Sequence, residues 1–519
     1  MKPLLAWMAL ILFWAALYLP GLGNMELKGE EARRTLPALE MLRTGDWLVP
    51  HINGTPYLRK PPLINWLIAG SMHITQSRTE WATRLPSILA MLAMAAVIFA
   101  TARRWMPLSS AWMAAMIALS GVGLWEKGRL AEIEAVYVAL TGMAFACWLE
   151  AWVNRKTGWR MWLFPAIFLG LGLLTKGPFH LLFFYAVAIP ILFAAGEKRQ
   201  LASPAHLGSL ALALLIFAAW AVPYFQATAG LNTEAVWASQ MQQRIGGGDR
   251  SFFNLGMNFL SALANGLPWI LFAPLWWNHR VLAGLDERRR MLVCAARWPI
   301  TIGFAALIFI PGVLPRYTLP LYPAAALLLG LVMAEIGPVP QKCWQWVNRG
   351  FLGIVLVGAV FAPWLLHAPH REWLEIAPAI LFVAFGGWAG KRFQEEPAMR
   401  HAIGSALALV GAVGIYAAFI LPKFATSNGF RLAGAQIDAA APQAATLHVV
   451  DPGYQPILFY VKRRCSFVPS ARELPPGAEY VLMDKADRKK AKKQLGGGTE
   501  IAQFGPKDKR QLVLVQFPR

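Results

Sequence analysis

Apolar runs long enough to cross a lipid bilayer recur along most of this chain, separated by short polar segments. A crossing helix needs about 20 residues, because each residue adds 1.5 Å along the helix axis. Counting these runs predicts an all-α polytopic membrane protein with about thirteen spans. The predicted spans are Leu4–Leu19, Leu85–Thr101, Leu108–Leu124, Ala135–Val153, Trp162–Thr175, Phe179–Ala195, His206–Tyr224, Pro268–Asn278, Pro299–Pro311, Leu319–Ala334, Phe351–Leu366, Ala377–Gly390 and Ile403–Leu421.

One apolar run, Leu63–Ile74, is only about twelve residues long and is too short to cross a bilayer. Treating it as a span would also invert the sidedness of every later loop. We therefore predict an amphipathic helix that lies in the outer interface of the membrane, with Trp66 as its anchor.

Basic residues cluster in short segments between the predicted spans, and the positive-inside rule places such clusters in the cytoplasm. The strongest cluster contains Arg280, Arg288, Arg289, Arg290 and Arg297. Thirteen spans from an inside start then put residues 20–84, residues 225–265 and the tail on the outer side. We predict a transmembrane catalytic domain at 1–422 and an external domain at 423–519. The loop between Trp125 and Ala135 is predicted as a short external connection.

The polar tail alternates strand-like runs with helical stretches, which is typical of a small α/β domain. The predicted strands are Thr446–Val450, Ile457–Val461, Tyr480–Met483 and Leu512–Val515, and the predicted helices are Phe430–Ala439 and Lys485–Lys493. Gly496–Gly498 is interpreted as a helix cap and turn rather than a phosphate-binding loop. This domain either covers an active cavity or receives an acceptor.

Composition supports the membrane class, because hydrophobic residues make up 57% of the 519 residues and charged residues only 15%. A soluble protein carries about 25% charged residues. The net charge of +21 follows the loops rather than forming one basic face, so we predict no nucleic-acid partner. The four cysteines show no metal-ligand spacing, and the chain has no nucleotide-binding motif, so the prediction includes neither metal nor cofactor.

Charged residues stand at the outer mouths of several predicted helices, against the positive-inside rule. The first outer loop places Glu30 three residues before Arg33, on one face of a helix, and Lys60 before two prolines. Further outer positions are Arg129, Glu134, Lys176, Arg244, Arg250 and Arg316. Any one of these cations is equally consistent with a snorkelling anchor or a structural ion pair. Together they are typical of a site for a phosphate-bearing lipid. Glu31 and Glu132 are interpreted as solvated acids.

In these motifs the chain resembles the polyprenyl-phosphate-sugar transferases of the GT-C fold, which include protein O-mannosyltransferases and the bacterial aminoarabinose transferase of lipid A. The resemblance extends from the first helix to about residue 325. The matching segments are Glu30–Arg33, Thr44–Pro50, Asn53–Gly54, Tyr57–Leu63, Arg84–Ser87, Arg129 with Glu134, Thr175–Pro178, Arg316–Tyr317, Pro320 and Pro323.

The resemblance implies roles for individual residues. Glu30 occupies the position of the family's catalytic acid, which is usually Asp, and Glu134 occupies a second acidic position. Both are candidate catalytic residues: Glu30 or Glu134 serves as general base for a hydroxyl acceptor, whereas for a phosphate acceptor Glu30 positions donor or acceptor. The resemblance assigns donor binding to Arg33, Tyr57, Lys60, Lys176, Arg244 and Arg316. Glu in place of Asp at both positions moves each carboxylate by about 1 Å, a displacement that costs about 100-fold in rate unless the cavity compensates. Arg34 and Arg59 also depart from the family pattern.

We therefore predict a glycosyltransferase, hexosyl or pentosyl, that takes its sugar from a polyprenyl-phosphate carrier and acts at the outer face of the bacterial cytoplasmic (inner) membrane. The acceptor is a lipid, a glycan or a protein, and inversion follows from a single displacement. One alternative is a transporter or flippase of a lipid-linked sugar, which predicts an internal repeat with broken helices. The sequence shows no such repeat. Another is a catalytically silent subunit that binds polyprenyl phosphate.

Overall fold

The computed structural model is mostly helical. It describes residues 3–246, 252–309, 314–333, 335, 341–351, 353, 357, 384, 388, 397–425, 429–442, 445–451, 454–504 and 511–518. The internal contacts divide the chain into two compact units. Unit 1 comprises Met1–Leu22, Arg59–Ile64 and Arg84–Leu421, and unit 2 comprises Gly23–Leu58, Asn65–Thr83 and Pro422–Arg519. Most of the first outer loop and the tail thus fall together in unit 2, whereas the loop segment Arg59–Ile64 belongs to unit 1. A domain limited to 423–519 stays a prediction.

Apolar helices build unit 1. In chain order, its described helices include Pro3–Tyr18, Glu80–Ala102 (whose first four residues belong to unit 2), Leu108–Ser120, Val122–Gly128, Ile133–Val153, Trp159–Lys176, Phe179–Ala194, Pro204–Ala227, Thr233–Gly246, Phe252–Asn265, His279–Ala283, Glu287–Phe309, Tyr322–Met333 and Pro397–Ile415. Shorter 3-10 segments lie at Lys198–Ala202, Trp269–Trp277 and Pro315–Leu321, and one π-helical turn lies at Tyr416–Ile420.

Six of the described helices are long and apolar enough to cross a membrane, and the number rises to eight if each of two bent helix pairs forms one span. The membrane-protein class is thereby supported, whereas the count of thirteen spans stays a prediction. Two predicted spans, Phe351–Leu366 and Ala377–Gly390, lie almost wholly outside the described residues.

Three segments of unit 1 correct the sequence-based assignment. The predicted outer loop 225–265 contains two helices, Thr233–Gly246 and Phe252–Asn265. The predicted span Pro268–Asn278 is a nine-residue 3-10 helix, bent by 89° from the helix before it. The connection after Trp125 is also partly helical, because the helix Val122–Gly128 extends into it. Hydropathy alone missed these elements because short or bent helices do not give a continuous apolar run of spanning length.

The most basic predicted loop is also partly helical. Arg288, Arg289, Arg290 and Arg297 lie inside the helix Glu287–Phe309 rather than in a connection. Arg297 donates a hydrogen bond of 2.8 Å to the carbonyl of Trp276. The guanidinium of Arg288 lies 4.1 Å from the ring centre of Trp152. The carbonyl of Trp276 and the ring of Trp152 bind Arg297 and Arg288. The positive charge of this stretch predicted a loop, but the stretch is helical.

The short interfacial run forms a 13-residue helix, Leu63–Thr75, as its length predicted. The indole N–H of Trp66 donates a hydrogen bond of 2.7 Å to the carbonyl of Trp47. Its position at the membrane interface stays a prediction.

Unit 2 contains a two-stranded hairpin, β1 (His51–Ile52) with β2 (Thr55–Pro56), and a five-stranded sheet. The sheet is built from β3 (Leu447–Val450), β4 (Cys465–Val468), β5 (Tyr480–Asp484), β6 (Thr499–Phe504) and β7 (Leu512–Gln516), in the order β4-β3-β5-β7-β6. Strand β3 pairs in parallel with β4 and β5, and β7 pairs antiparallel with β5 and β6. The described α-helices of this unit are Ala32–Thr44, most of Leu63–Thr75, most of Leu421–Ala425, Phe430–Ala440, Ile457–Tyr460 and Arg488–Leu495.

Three of the four predicted tail strands are confirmed, as β3, β5 and β7, and both predicted helices are present. The fourth prediction, Ile457–Val461, is wrong, because Pro456 precedes a one-turn helix at Ile457–Tyr460. A run of four apolar residues has the same pattern in a buried strand and in a buried helical turn. Gly496 ends the helix Arg488–Leu495 with φ 87°, in agreement with its interpretation as a cap.

Small residues let the helices of unit 1 pack closely, and this leads to a stability prediction. A Cβ atom on Gly172 would lie 2.1 Å from Nε2 of His180, which is fully buried. We expect Gly172→Ala to destabilise the protein by about 1–3 kcal/mol, because a packed interior cannot absorb the extra group. Thermal unfolding in detergent measures the effect.

Gly70→Ala is the matched control for this change. A Cβ atom at Gly70, inside the helix Leu63–Thr75, would have nothing within 4 Å. We expect that variant to unfold at or above the wild-type temperature, since Ala favours the helix. Equal unfolding temperatures for Gly172→Ala and wild type would contradict the prediction.

Candidate active site

In unit 1, three elements bring one carboxylate and two cations together. Glu134 lies in the first turn of the helix Ile133–Val153, and Lys176 is the last residue of the helix Trp159–Lys176. Arg316 lies in the 3-10 segment Pro315–Leu321. Nζ of Lys176 is 3.0 Å from Oε1 of Glu134, and Nε of Arg316 is 3.4 Å from the same oxygen. We call these three residues the Glu134 cluster.

Local sequence explains where these charges stand. Gly177 has φ 77° and ends the helix after Lys176, and Pro178 directly precedes the next helix. An acid in a first turn and a base in a last turn each complement the helix dipole. Tyr137 and Tyr317 flank Nζ of Lys176, with both ring centres at 5.0 Å. The ammonium group is thus fixed by one carboxylate and two aromatic rings.

The Glu134 cluster is largely shielded from solvent, since the side chains of Glu134 and Lys176 are only 8% and 12% exposed. Two cations and one carboxylate leave a formal charge of +1. Such a charge in a shielded site favours the binding of an anion.

A cavity of about 280 Å³ opens beside Lys176. Its cationic lining residues are Arg59, Lys60 and Lys176, and its other lining residues are Pro61, Leu173, Gly177, Pro178, Phe179, Leu181, Leu214, Phe217 and Trp237. Lys60 and Lys176, which the sequence proposed as donor ligands, therefore line one cavity. Three cations against an apolar wall suit a ligand with an anionic head and an apolar body.

In unit 2, Glu30 is bound by two arginines. Nη1 of Arg33 lies 2.9 Å and 3.0 Å from the two oxygens of Glu30, and Nη2 of Arg34 lies 3.7 Å from Oε2. The predicted pairing of Glu30 with Arg33 is present, although Glu30 lies in the turn before the helix Ala32–Thr44 rather than inside it. This group also carries a formal charge of +1.

Two tyrosines complete this group, which we call the Glu30 cluster: Glu30, Arg33, Arg34, Tyr57 and Tyr454. Arg34 is buried and donates a hydrogen bond of 3.1 Å to the hydroxyl of Tyr57. The guanidinium of Arg33 lies 4.3 Å from the ring centre of Tyr454. The rings of Tyr57 and Tyr454 meet edge to face, with centres 6.3 Å apart.

Several sequence-based assignments fall elsewhere. Arg129 hydrogen-bonds to the carbonyls of Leu17 and Pro20, contacts that join the ends of helices within unit 1. Arg244 lies in the helix Thr233–Gly246, but its side chain is outside the described residues, as is the whole of Arg250.

Glu31 and Glu132 were interpreted as solvated acids, and this is wrong, because both are buried. Oε2 of Glu31 accepts a hydrogen bond of 2.9 Å from the N–H of Lys28, and Oε2 of Glu132 lies 3.3 Å from Nζ of Lys127. Each acid is held by a local partner, which a pattern of polar residues does not reveal.

The sequence predicts no role for four residues in or beside the two clusters: Arg34, Tyr137, Tyr317 and Tyr454. Tyr137 lies one helical turn after Glu134 and Tyr317 directly follows Arg316, so both carry a local signal. Tyr454 lies far from the other members in sequence and carries none.

The chain is similar to known sugar transferases. Residues 59–222 match the family described as dolichyl-phosphate-mannose-protein mannosyltransferase. An undecaprenyl phosphate-alpha-4-amino-4-deoxy-L-arabinose arabinosyl transferase of Erwinia tasmaniensis is 27% identical over 401 residues, covering 73% of this chain and 69% of that protein. A protein of the same name from Aeromonas hydrophila is 26% identical over 432 residues, covering 78% and 76%.

A similar fold is found among solved structures. The crystal structure of ArnT from Cupriavidus metallidurans bound to undecaprenyl phosphate superimposes with a TM-score of 0.68 and 17% sequence identity, covering 99% of each chain. Its apo state gives a TM-score of 0.66. At this level of identity the likeness shows the fold.

Proposed function

We infer that this chain, which belongs to the GT-C superfamily of polyprenyl-phosphate-sugar transferases, is an integral membrane glycosyltransferase that takes its sugar from a polyprenyl-phosphate carrier. The observation that carries the inference is the Glu134 cluster beside a cavity lined by Arg59, Lys60 and Lys176. A lipid phosphate suits the cations that line this cavity, and its prenyl chain suits the apolar wall.

The donor phosphate is the leaving group of the proposed reaction. The bond between the anomeric carbon and the phosphate oxygen breaks, and its electron pair stays on the phosphate. Lys60 and Lys176 stabilise the charge that develops there, which is the electrostatic contribution that dominates in such reactions. The acceptor oxygen attacks from the opposite side, so a single displacement inverts the anomeric centre.

The two carboxylates suit different tasks. Oε1 of Glu134 contacts both Lys176 and Arg316, so Glu134 orients Lys176, which lines the cavity, and the neighbouring Arg316. The side chain of Glu30 is 27% exposed, against 8% for Glu134. We therefore propose Glu30 as the general base that takes the proton of a hydroxyl acceptor. A phosphate acceptor needs no base, and Glu30 then positions donor or acceptor.

The remaining donor contacts and the cellular location are also part of the proposal. Arg33, Tyr57, Arg244 and Arg316 complete the set of proposed donor ligands. We propose thirteen spans in the bacterial inner membrane, with residues 423–519 on the periplasmic side. The relatives named above are transferases, which favours transfer over the flippase alternative.

A binding experiment tests the donor class directly. Undecaprenyl phosphate added to the purified protein should raise its unfolding temperature, because a ligand that binds only the folded state stabilises it. Undecaprenol, which has the same chain without the phosphate, should give little or no increase. Equal increases with both lipids would contradict a phosphate site.

Transfer itself is tested in cells. Mass spectrometry of lipids and surface glycans from wild-type, deletion and complemented strains should show one sugar mass that is lost on deletion and restored by the intact gene. The names of the relatives make an aminoarabinosyl donor the first to supply in vitro. An unchanged glycan profile in the deletion strain, with no transfer by the purified protein, would overturn the proposed function.

A further inference from the structure

The C-terminal part of the chain contributes a side chain to the Glu30 cluster. Tyr454 follows the strand β3 and places its ring 4.3 Å from the guanidinium of Arg33. The same guanidinium binds both oxygens of Glu30. Tyr454 thus covers the cation that holds the proposed catalytic carboxylate, and nothing in the tail sequence marked it for this place.

Buried polar contacts fix the segment that carries Tyr454. The hydroxyl of Tyr460 donates a hydrogen bond of 2.7 Å to Oε1 of Glu80 and accepts one of 2.9 Å from the N–H of Leu27. Glu80 is buried, and its Oε1 also accepts a hydrogen bond of 2.7 Å from Arg431. Residues from the first outer loop and from the tail therefore share one hydrogen-bonded network within unit 2.

Arg78 strengthens the attachment. Its Nη2 donates hydrogen bonds of 3.1 Å and 3.0 Å to the carbonyls of Leu458, inside the short helix Ile457–Tyr460, and of Val461, directly after it. Burial lowers the pKa of Arg78 to about 10, which leaves it charged at neutral pH. Loss of this arginine would leave two carbonyls without their donor. These contacts hold the segment that directly follows Tyr454 against the first outer loop.

We propose that Tyr454 is a positioning residue for the Glu30–Arg33 pair, which makes the C-terminal segment a working part of the active site. The proposal rests on the proposed function of Glu30. The side chain of Arg33 is 35% exposed, so without the ring its guanidinium would sample several rotamers. Glu30 would then lose its fixed geometry, and displacements of about 1 Å at a reacting group cost up to about 100-fold in rate.

Kinetics of three variants test this role. We expect Tyr454→Ala to lower kcat about tenfold, because the ring fixes the geometry of the Glu30–Arg33 pair. Since Arg33 is also a proposed donor ligand, the donor KM should rise no further than it does in Arg33→Ala. Tyr454→Phe should stay within about twofold of wild type, since a phenyl ring also stacks on a guanidinium. Thermal unfolding shows whether each variant is folded.

A double-mutant cycle separates positioning from general stability. If Tyr454 acts through Arg33, then Tyr454→Ala should cause no further loss of kcat in an Arg33→Ala background. Additive losses in the double variant, or a normal kcat in folded Tyr454→Ala, would overturn the inference. The proposed function fails separately, through absence of transfer by the wild-type protein.

Discussion

Replacing Glu30 by Gln should lower the rate of sugar transfer to a hydroxyl acceptor by about 100- to 10,000-fold, the range in which general-base catalysis contributes. Gln has nearly the same size but cannot accept the proton. It also removes the negative charge that pairs with Arg33 and Arg34. The measurement is kcat with purified wild-type and variant protein at equal folded concentration, with complementation of a deletion strain as the cellular counterpart.

Glu40→Gln is a matched control, because Glu40 lies in the helix that follows the Glu30 turn. Oε1 of Glu40 accepts a hydrogen bond of 3.0 Å from the N–H of Gly54, and the amide oxygen of Gln can accept the same bond. Burial raises the pKa of Glu40, so the neutral amide suits its surroundings. We expect near wild-type transfer. Full activity of Glu30→Gln would refute the base assignment and leave Glu134 or a non-catalytic role for Glu30.

The second large effect is expected at Lys176. Lys176→Met should lower kcat/KM for the polyprenyl-phosphate donor by about 100-fold or more, because it removes a cation that lines the proposed phosphate cavity. Removing a single group that stabilises developing charge typically lowers the rate by about 100- to 1,000-fold, and we expect the loss for Lys176→Met to fall in that range. Met keeps the length and the apolar contacts of the side chain. Steady-state kinetics over a range of donor concentrations give the value.

The helix that carries Glu134 offers a control for this variant. Near its other end, Glu150 accepts a hydrogen bond of 2.6 Å from Nζ of Lys156, so Lys156→Met also breaks a lysine–glutamate pair. Glu134 and Glu150 lie about 24 Å apart at 1.5 Å per residue. We expect transfer by Lys156→Met to stay close to wild type. Similar losses in both variants would indicate general destabilisation and not a donor site at Lys176.

The sequence predicted many residues of the proposed site, but few of the contacts between them. Lys60 and Lys176 stand beside prolines and helix ends that the sequence displays, and both line the 280 Å³ cavity. Glu30 and Arg33 are three residues apart, so their pairing follows from local geometry. Arg129 is also a cation at a predicted outer position, like Lys60 and Lys176, yet it binds backbone carbonyls. Sequence position alone does not distinguish a structural cation from one that faces a cavity.

The sequence by itself determined the membrane class and the ends of many helices. Apolar runs of this length exclude a soluble protein, because exposing them to water would be unfavourable. Gly177 followed by Pro178 is a local signal for the end of a helix. Only the tertiary structure decided which charges meet. Glu134 reaches Lys176 and Arg316 because three separate elements pack together, and Tyr454 reaches Arg33 through contacts between the first outer loop and the tail. Helix and strand patterns arise between near neighbours in sequence, whereas such pairings depend on how distant elements pack.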